Sequence, residues 1–189
     1  GAFTSLGVNI EYSYENPNIV LIGMRGGGKS TVAKHLSEKL GKRLADLDAM
    51  VEREEGMSIP EIIEKFGWEY FRDRESEIVR KASRLKDTVI STGGGVIGRP
   101  ENIAALKQRG ILIFLSSSAK TLARRIDKDE GRPRLTEAAT TLEEVEAVLA
   151  ERKKLYETVA DEALDDTDLS LDEKVEEVMR MLKARGIMQ

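Results

Sequence analysis

The sequence predicts an α/β fold in which a central parallel sheet of five strands is covered on both faces by helices. Short apolar segments alternate with segments of helical periodicity along almost the whole chain, and strands joined through helices form crossovers that give a parallel sheet. The runs IVLI and ILIFL are wholly apolar, as expected for strands buried on both faces. The 189 residues suffice for one domain with a substantial core.

The elements of the first half follow from helical spacing and from residues that start or end helices. Apolar residues recur at helical spacing after a glycine-rich loop, and Gly41 ends that helix because glycine readily takes the left-handed C-cap conformation. Ser58 and Glu61 form a capping box, with Pro60 in the first turn. In chain order we expect strand 18–23, helix 29–41, strand 43–48, helix 58–85 with a break near Gly67, and strand 87–92.

The second half continues the alternation and adds one charged loop. Ser170 and Glu173 form a second capping box before the last helix. The segment 127–135 is polar and contains one glycine and one proline, which favours a loop, and residues 1–17 form either an added edge strand or a linker. The expected elements are helix 99–110, strand 111–116, helix 118–127, helix 141–161, a weak strand 162–166 and helix 170–186.

Composition argues against several classes of function. The net charge of −4 argues against a dedicated nucleic-acid binder, and the absence of cysteine excludes disulfides, zinc thiolates and cysteine nucleophiles. The apolar runs are too short to span a membrane, and no secretory signal is recognisable. We therefore expect a cytoplasmic enzyme that binds neither nucleic acid nor membrane.

A phosphate-binding loop lies between the first strand and the first helix. The segment 23–30 matches the spacing G-x4-G-K-S, in which glycines let successive N–H groups face phosphate oxygens. Lys29 would reach the β- and γ-phosphates, and the Ser30 hydroxyl would ligate Mg²⁺. A chance glycine turn is the alternative, and the flanking strand and helix argue against it. The expected ATP ligands here are Gly26, Gly27, Gly28, Lys29, Ser30 and Thr31.

The loop indicates a nucleoside triphosphate but not the molecule that accepts its phosphate. The Asn-Lys-x-Asp motif of switch GTPases is absent from the sequence. The paired acids that end a strand in motor ATPases occur only at Asp165 and Asp166, after the weakest strand. The short chain with its single charged loop instead favours a kinase of small molecules.

The candidates for the acceptor site each have a plain structural alternative. Asp46 and Asp48 end a predicted strand on one side, where they would face metal-bound water and acceptor hydroxyls, or merely cap the next helix. Arg72 and Arg152 lie on charged helices, where an arginine is usually solvated. The three glycines 93–95 allow a ligand to approach the backbone closely, or form only a flexible turn.

The segments GMRGGGKST, DLD, FRDRE, STGGG, RPRL and ERKKLYE, in this order and at compatible spacing, resemble the motif series of the shikimate kinase family. The resemblance extends over residues 18–185. It implies a three-layer αβα P-loop kinase fold with a helical substrate-binding subdomain and a lid loop at 127–138. It also implies one domain over 18–189, after an N-terminal extension, linker or tag remnant at 1–17.

The resemblance also implies residue roles. Lys29, Asp48 and Arg132 would be catalytic. Asp48 would be the candidate base, and Arg132 would reach the ATP phosphates from the lid. Arg125 would stack on adenine, with the adjacent Arg124 as the alternative. The implied shikimate ligands are Asp48 for the hydroxyls, Arg72 and Arg152 for the carboxylate, and Gly93, Gly94 and Gly95 through the backbone; the implied metal ligands are Ser30 and, through water, Asp46.

The implied reaction is transfer of the γ-phosphate of ATP to the 3-hydroxyl of shikimate, with Mg²⁺. The resemblance also implies a monomeric enzyme that acts in the aromatic amino-acid pathway. One alternative is a gluconate-type kinase of similar fold, which the paired arginines and the glycines disfavour. The other is a catalytically silent nucleotide-binding relative, which the retained lysine, acid and arginines disfavour. Two departures from the family pattern are Arg134 in the lid and the acidic segment 165–168, where a contact to the adenine edge is expected.

Overall fold

The computed structural model describes residues 16–25, 28–127 and 141–188. In chain order its strands are β1 (Asn18–Ile22), β2 (Arg43–Asp46), β3 (Thr88–Ser91), β4 (Gly110–Ser116) and β5 (Glu162–Asp165). They form one sheet in the order β2-β3-β1-β4-β5, with every pair of neighbours parallel. The predicted α/β class and the central five-stranded parallel sheet are confirmed.

Helices cover both faces of this sheet. Alternate residues of β1 face opposite sides: Ile19 and Leu21 join one apolar cluster, and Val20 and Ile22 join a larger one. Each of these side chains is fully buried, which stabilises the fold by about 2 kcal/mol per side chain. Within the described residues the helices are α1 (Lys29–Leu40), α2 (Leu47–Glu55), α3 (Ile59–Ser83), α4 (Pro100–Arg109), α5 (Ala119–Asp127), α6 (Thr141–Val159) and α7 (Leu171–Ala184).

The two clusters show how the layers are divided. The smaller cluster contains residues of α1 and α7, and the larger one contains residues of α2 to α6. Three layers result, as expected. None of the helices formed by the described residues is long and apolar enough to cross a membrane.

The residues expected to start, break and end helices do so. Both capping boxes are present with their reciprocal hydrogen bonds, at Ser58 before α3 and at Ser170 before α7. Gly41 takes the left-handed conformation at the end of α1. Gly67 has φ 90° inside α3 and breaks its regular geometry, at the place where the sequence predicts an interruption.

The helix α2 was not predicted, and the predicted strand 43–48 is too long, which affects two candidate site residues. The second strand ends at Asp46, and Leu47 already begins α2, so Asp48 lies in the first turn of a helix and not at a strand end. The physical reason is that the Asp46 carboxylate accepts a hydrogen bond from the backbone N–H of Ala49 at 3.2 Å and caps the helix. The alternation rule for strands therefore does not relate the two aspartates.

The strand order places the ends of three strands next to each other. The central strand β1 pairs with β3 on one side and with β4 on the other. The connection after β1 leads to β2 and the connection after β3 leads to β4, so these two connections leave in opposite directions along the sheet. Ligands of open α/β sheets bind at the carboxyl ends of the strands, at this kind of switch point. The phosphate-binding loop follows β1, and the three glycines follow β3.

Candidate active site

The described part of the phosphate-binding loop is shaped by two glycines and a buried lysine. Gly23 has φ 153°, and a Cβ built on it would lie 2.6 Å from the carbonyl oxygen of Leu115, so only glycine fits. Gly28 has φ 77° and is the N-cap residue directly before α1. The Lys29 Nζ donates to the carbonyl oxygens of Gly23 at 2.8 Å and Met24 at 2.9 Å. The lysine ammonium is therefore positioned over its own loop.

Hydroxyl and carboxylate oxygens lie beside this loop. The Ser30 Oγ is 3.4 Å from the Ser91 Oγ, and Ser91 is the register partner of Asp46 across β2 and β3. Within the described ranges, no three His, Asp or Glu residues are grouped so that they could bind a metal ion by themselves. Mg²⁺ characteristically takes one or two protein oxygens together with water and substrate phosphates. The donors present fit a metal that arrives with a nucleotide.

A cavity opens beside the phosphate-binding loop, with a volume of about 320 Å³ including the part open to solvent. Four structural elements contribute to it: the phosphate-binding loop, α3, the glycines after β3, and α6. Its lining residues are Arg25, Trp68, Phe71, Arg72, Glu75, Gly93, Gly94, Gly95 and Arg152. The sequence-predicted Arg72, Arg152 and three glycines therefore share one pocket.

Arg72 is fixed in this pocket by charge and by aromatic rings. Its Nη1 donates to Glu75 Oε1 at 2.9 Å, and its guanidinium carbon lies 5.3 Å from the Trp68 ring and 5.2 Å from the Phe71 ring. Such cation–π contacts contribute about 0.5–2 kcal/mol each. A Cβ on Gly95 would lie 2.3–2.6 Å from the guanidinium atoms, so glycine is required for this packing.

Two carboxylates meet at Gly93. A Cβ built on this residue would lie 2.9 Å from Asp48 Oδ1 and 2.8 Å from Glu75 Oε2. Glu75 is almost fully buried, with 1% of its surface exposed. The acidic end of the pocket is thus formed by the first turn of α2 and the middle of α3.

The arginine of α6 lies at the next glycine. Arg152 Nη1 is 3.7 Å from the position of a Cβ on Gly94, and the Tyr156 hydroxyl donates to the Gly94 carbonyl oxygen. Tyr156 is completely buried and its ring stacks on Phe114 at 4.8 Å. Burial raises the pKa of Tyr156 to about 12, and the nearby Arg152 partly opposes this shift.

On the other side of the phosphate-binding loop, Arg125 approaches Gly28. Its Nη1 lies 3.7 Å from the position of a Cβ on that glycine. The adjacent Arg124 is exposed, whereas Arg125 is half-buried. This placement favours Arg125 over Arg124 as a residue that faces a bound nucleotide.

Some predicted residues lie outside the described part of the chain, and some pocket residues were not predicted. Gly26, Gly27, Arg132 and Arg134 fall in the segments that the structure does not describe. The pocket residues Arg25 and Glu75 were not predicted. Two sequence features could have identified these residues. Glu75 follows Arg72 at the i,i+3 spacing of paired charges on a helix. Arg25 is the one charged residue between Gly23 and Gly28.

The chain is similar to shikimate kinases in sequence and structure. The family model described as Shikimate kinase matches residues 25–183. The shikimate kinase of Caldanaerobacter subterraneus subsp. tengcongensis is 42% identical over 170 residues, which cover 89% of this chain and 98% of that protein. The solved shikimate kinase from Acinetobacter baumannii in complex with shikimate has a TM-score of 0.86 at 32% identity, covering 93% of this chain and 97% of that one.

A third comparison gives the same result. The crystal structure of shikimate kinase from Aquifex aeolicus has a TM-score of 0.77 at 34% identity, over 89% of this chain and 98% of that one. The matched residues 25–183 include every residue that lines the pocket around the three glycines.

Proposed function

The chain belongs to the shikimate kinase family, and on that premise we propose that it transfers the γ-phosphate of ATP to the 3-hydroxyl of shikimate, giving shikimate 3-phosphate and ADP. One observation carries the assignment of the acceptor site. The short segment Gly93–Gly95 has two carboxylates at its first residue and one arginine at each of the next two. A small ring with one carboxylate and several hydroxyls requires these opposite chemistries within a few ångströms.

The nucleotide would bind along the loop after β1. The described glycines shape this loop, and Lys29, now bonded to two loop carbonyls, would turn to the β- and γ-phosphates. Ser30, and Asp46 through water, would bind Mg²⁺, which supplies positive charge that neutralises the phosphate oxygens. Arg125 would stack on the adenine of the nucleotide, and Arg132 would approach the phosphates from the lid.

The acceptor would be oriented by its two ends. Arg72 and Arg152 would bind the carboxylate, because guanidinium groups match a planar carboxylate in shape and charge. Asp48 would bind the ring hydroxyls at the acidic end, beside Glu75, while the backbone of the three glycines contacts the ring. Trp68 and Phe71, which contact Arg72, keep that guanidinium in place.

The transfer step would use Asp48 as the base. The 3-hydroxyl oxygen forms a bond to the γ-phosphorus while the bond from this phosphorus to the bridging oxygen of ADP breaks. The electron pair of that bond leaves with ADP, and the hydroxyl proton moves to the Asp48 carboxylate. Lys29 and Arg132 would stabilise the charge on the phosphoryl oxygens during transfer.

A coupled assay of ADP release with ATP and Mg²⁺ tests this function. The acceptors compared are shikimate, quinate, gluconate and none. We expect release that depends on shikimate; preference for gluconate would favour the related kinase, and ATP binding with no acceptor-dependent release would favour a silent relative. A monomeric state, a cytoplasmic location and the single domain over 18–189 stay predictions.

A further inference from the structure

A buried ion pair lies on the side of the phosphate-binding loop that faces away from the acceptor pocket. Asp166, directly after β5, has no exposed surface, and its carboxylate accepts a hydrogen bond from the Ser117 hydroxyl after β4. Its second oxygen lies 3.4 Å from Lys174 Nζ, on the first turns of α7. The pair joins the ends of two strands to one helix.

Lys174 points from this carboxylate toward the loop. Its Nζ lies 4.0 Å from the position of a Cβ on Gly28, where Arg125 also approaches at 3.7 Å. The side chain of Lys174 is 8% exposed and that of Asp166 is 0% exposed. The ammonium is therefore on the side of the pair that faces the loop, and the carboxylate is on the side that faces the protein interior.

Lys174 is better placed to bind an anionic ligand than to serve only as a contact in the protein core. A buried lysine loses much of its hydration, and a carboxylate beside it partly replaces the lost contacts. An ammonium has three donors, and a single carboxylate oxygen at 3.4 Å does not occupy all of them. Gly28 directly precedes α1, and a helix N-terminus attracts anions, so two side-chain cations and a helix end face the same small volume.

We propose that Lys174 is a further nucleotide-binding residue, which places its ammonium against the phosphate chain of ATP at Gly28, with Asp166 and Ser117 as the residues that position it. The proposal rests on the proposed ATP-dependent function. It also gives the acidic segment after β5 a role, because Asp166 supports a cation instead of contacting the nucleotide itself.

Equilibrium binding of ATP, measured without shikimate, tests the proposal. Lys174→Met alone would leave a buried unpaired carboxylate, so the main variant is Lys174→Met combined with Asp166→Asn, which removes both charges and keeps an acceptor for Ser117. We expect the Kd for ATP to rise about tenfold, as for loss of a hydrogen bond to a charged group, with a weaker dependence on salt. The Kd for shikimate and the melting temperature should stay close to those of the unmodified protein.

Matched variants make the result decisive. Lys174→Arg keeps the charge and should recover most of the affinity, and Lys183→Met removes an exposed lysine from the same helix and should change nothing. A folded double variant with an unchanged Kd for ATP, or with equal losses for ATP and shikimate, would overturn the proposal. If the double variant does not fold, NMR of the unmodified protein with isotope-labelled lysine provides the test. On addition of ATP, the Lys174 Cε resonance should shift much more than that of Lys183. An equal or absent shift would overturn the proposal.

The measurement of ATP binding also distinguishes a failure of this proposal from a failure of the proposed function. Binding of ATP is measured without any acceptor, so it does not depend on which molecule is phosphorylated. A Lys174-dependent Kd together with turnover that ignores shikimate would contradict the acceptor assignment alone. Shikimate-dependent turnover with an ATP affinity that is insensitive to Lys174 would contradict only the role of the lysine.

Discussion

The hydroxyl of Tyr156 donates a hydrogen bond to the carbonyl oxygen of Gly94 and so ties α6 to the glycine segment after β3. Arg152 lies one turn before Tyr156 on the same helix, and its guanidinium also approaches Gly94. One buried bond therefore links the helix that carries Arg152, the predicted carboxylate ligand, to the backbone that the acceptor would contact.

Replacing Tyr156 by Phe should destabilise the protein and weaken acceptor binding. The Gly94 carbonyl would lose its buried donor, which costs about 1–3 kcal/mol. We expect a lower midpoint of urea unfolding and a raised KM for shikimate, with the KM for ATP nearly unchanged. An unaltered midpoint would mean that water replaces the hydroxyl.

The same tyrosine predicts a pH dependence of stability. Burial raises its pKa from 10.0 to about 12, so between these values the unfolded chain loses a proton that the folded protein keeps. The free energy of unfolding should therefore fall as pH rises from 10 to about 12, by at most about 1.4 kcal/mol per pH unit. Tyr156→Phe should remove this contribution, which unfolding curves of both proteins across that range would show.

Replacing Asp48 by Asn should remove most turnover. The amide cannot accept the hydroxyl proton, and loss of a general base typically lowers the rate about 10²–10⁴-fold. Steady-state kinetics should show the loss in kcat, while the Kd for ATP stays near that of the unmodified protein. Asp172→Asn, at an exposed position on α7, is the control, and near-normal kcat in Asp48→Asn would exclude Asp48 as the base.

Replacing Arg152 by Ala should mainly raise the KM for shikimate. A charge-assisted contact contributes about 1.5–3 kcal/mol, which corresponds to about a 10- to 100-fold change, and the carboxylate is distant from the reacting oxygen. Lys154→Ala, exposed on the same helix, should leave the KM unchanged. If both variants behave alike, the carboxylate contact lies elsewhere.

Replacing Gly95 by Ala should displace Arg72 without unfolding the protein. The new methyl group would overlap the guanidinium at 2.3–2.6 Å, and a guanidinium at the end of a flexible side chain can move away. We expect at least about a tenfold rise in the KM for shikimate, because a contact to a charged group is lost. Gly98→Ala is the matched control, since a Cβ there meets nothing within 4 Å; a similar effect of both variants would contradict this explanation.

Much of the fold could be predicted because its signals are local. The capping boxes at Ser58 and Ser170 and the break at Gly67 depend on neighbours within a few residues, and all three are confirmed. The helix α2 was missed, and its start is hard to recognise because Asp46 serves both as the last residue of a strand and as the cap of a helix. The alternation of apolar and polar residues in LADLD fits a strand that ends at Asp46 and a strand that continues to Asp48 equally well.

The candidate site was predictable only in part, because its pairings are distant along the chain. Asp48 and Glu75 meet at Gly93, and Arg152 meets Gly94 from another helix, contacts that spacing within one element does not reveal. Arg72 was found from its motif, but its support by Trp68 and Phe71 required the structure. The assigned roles of these residues stay predictions until the variants are measured.

The positions of β1 and β3 as neighbours have an evolutionary consequence. The nucleotide loop follows β1 and the glycine segment follows β3, two paired strands that lie about 4.8 Å apart. Backbone pairing therefore holds the two segments side by side, independently of the side chains around them. The predicted side-chain ligands of the acceptor lie on α2, α3 and α6, and Lys29, the predicted phosphate ligand, lies on α1. Substitutions on these three helices can therefore change which acceptor binds during evolution, while the loop that would bind the nucleotide stays unchanged.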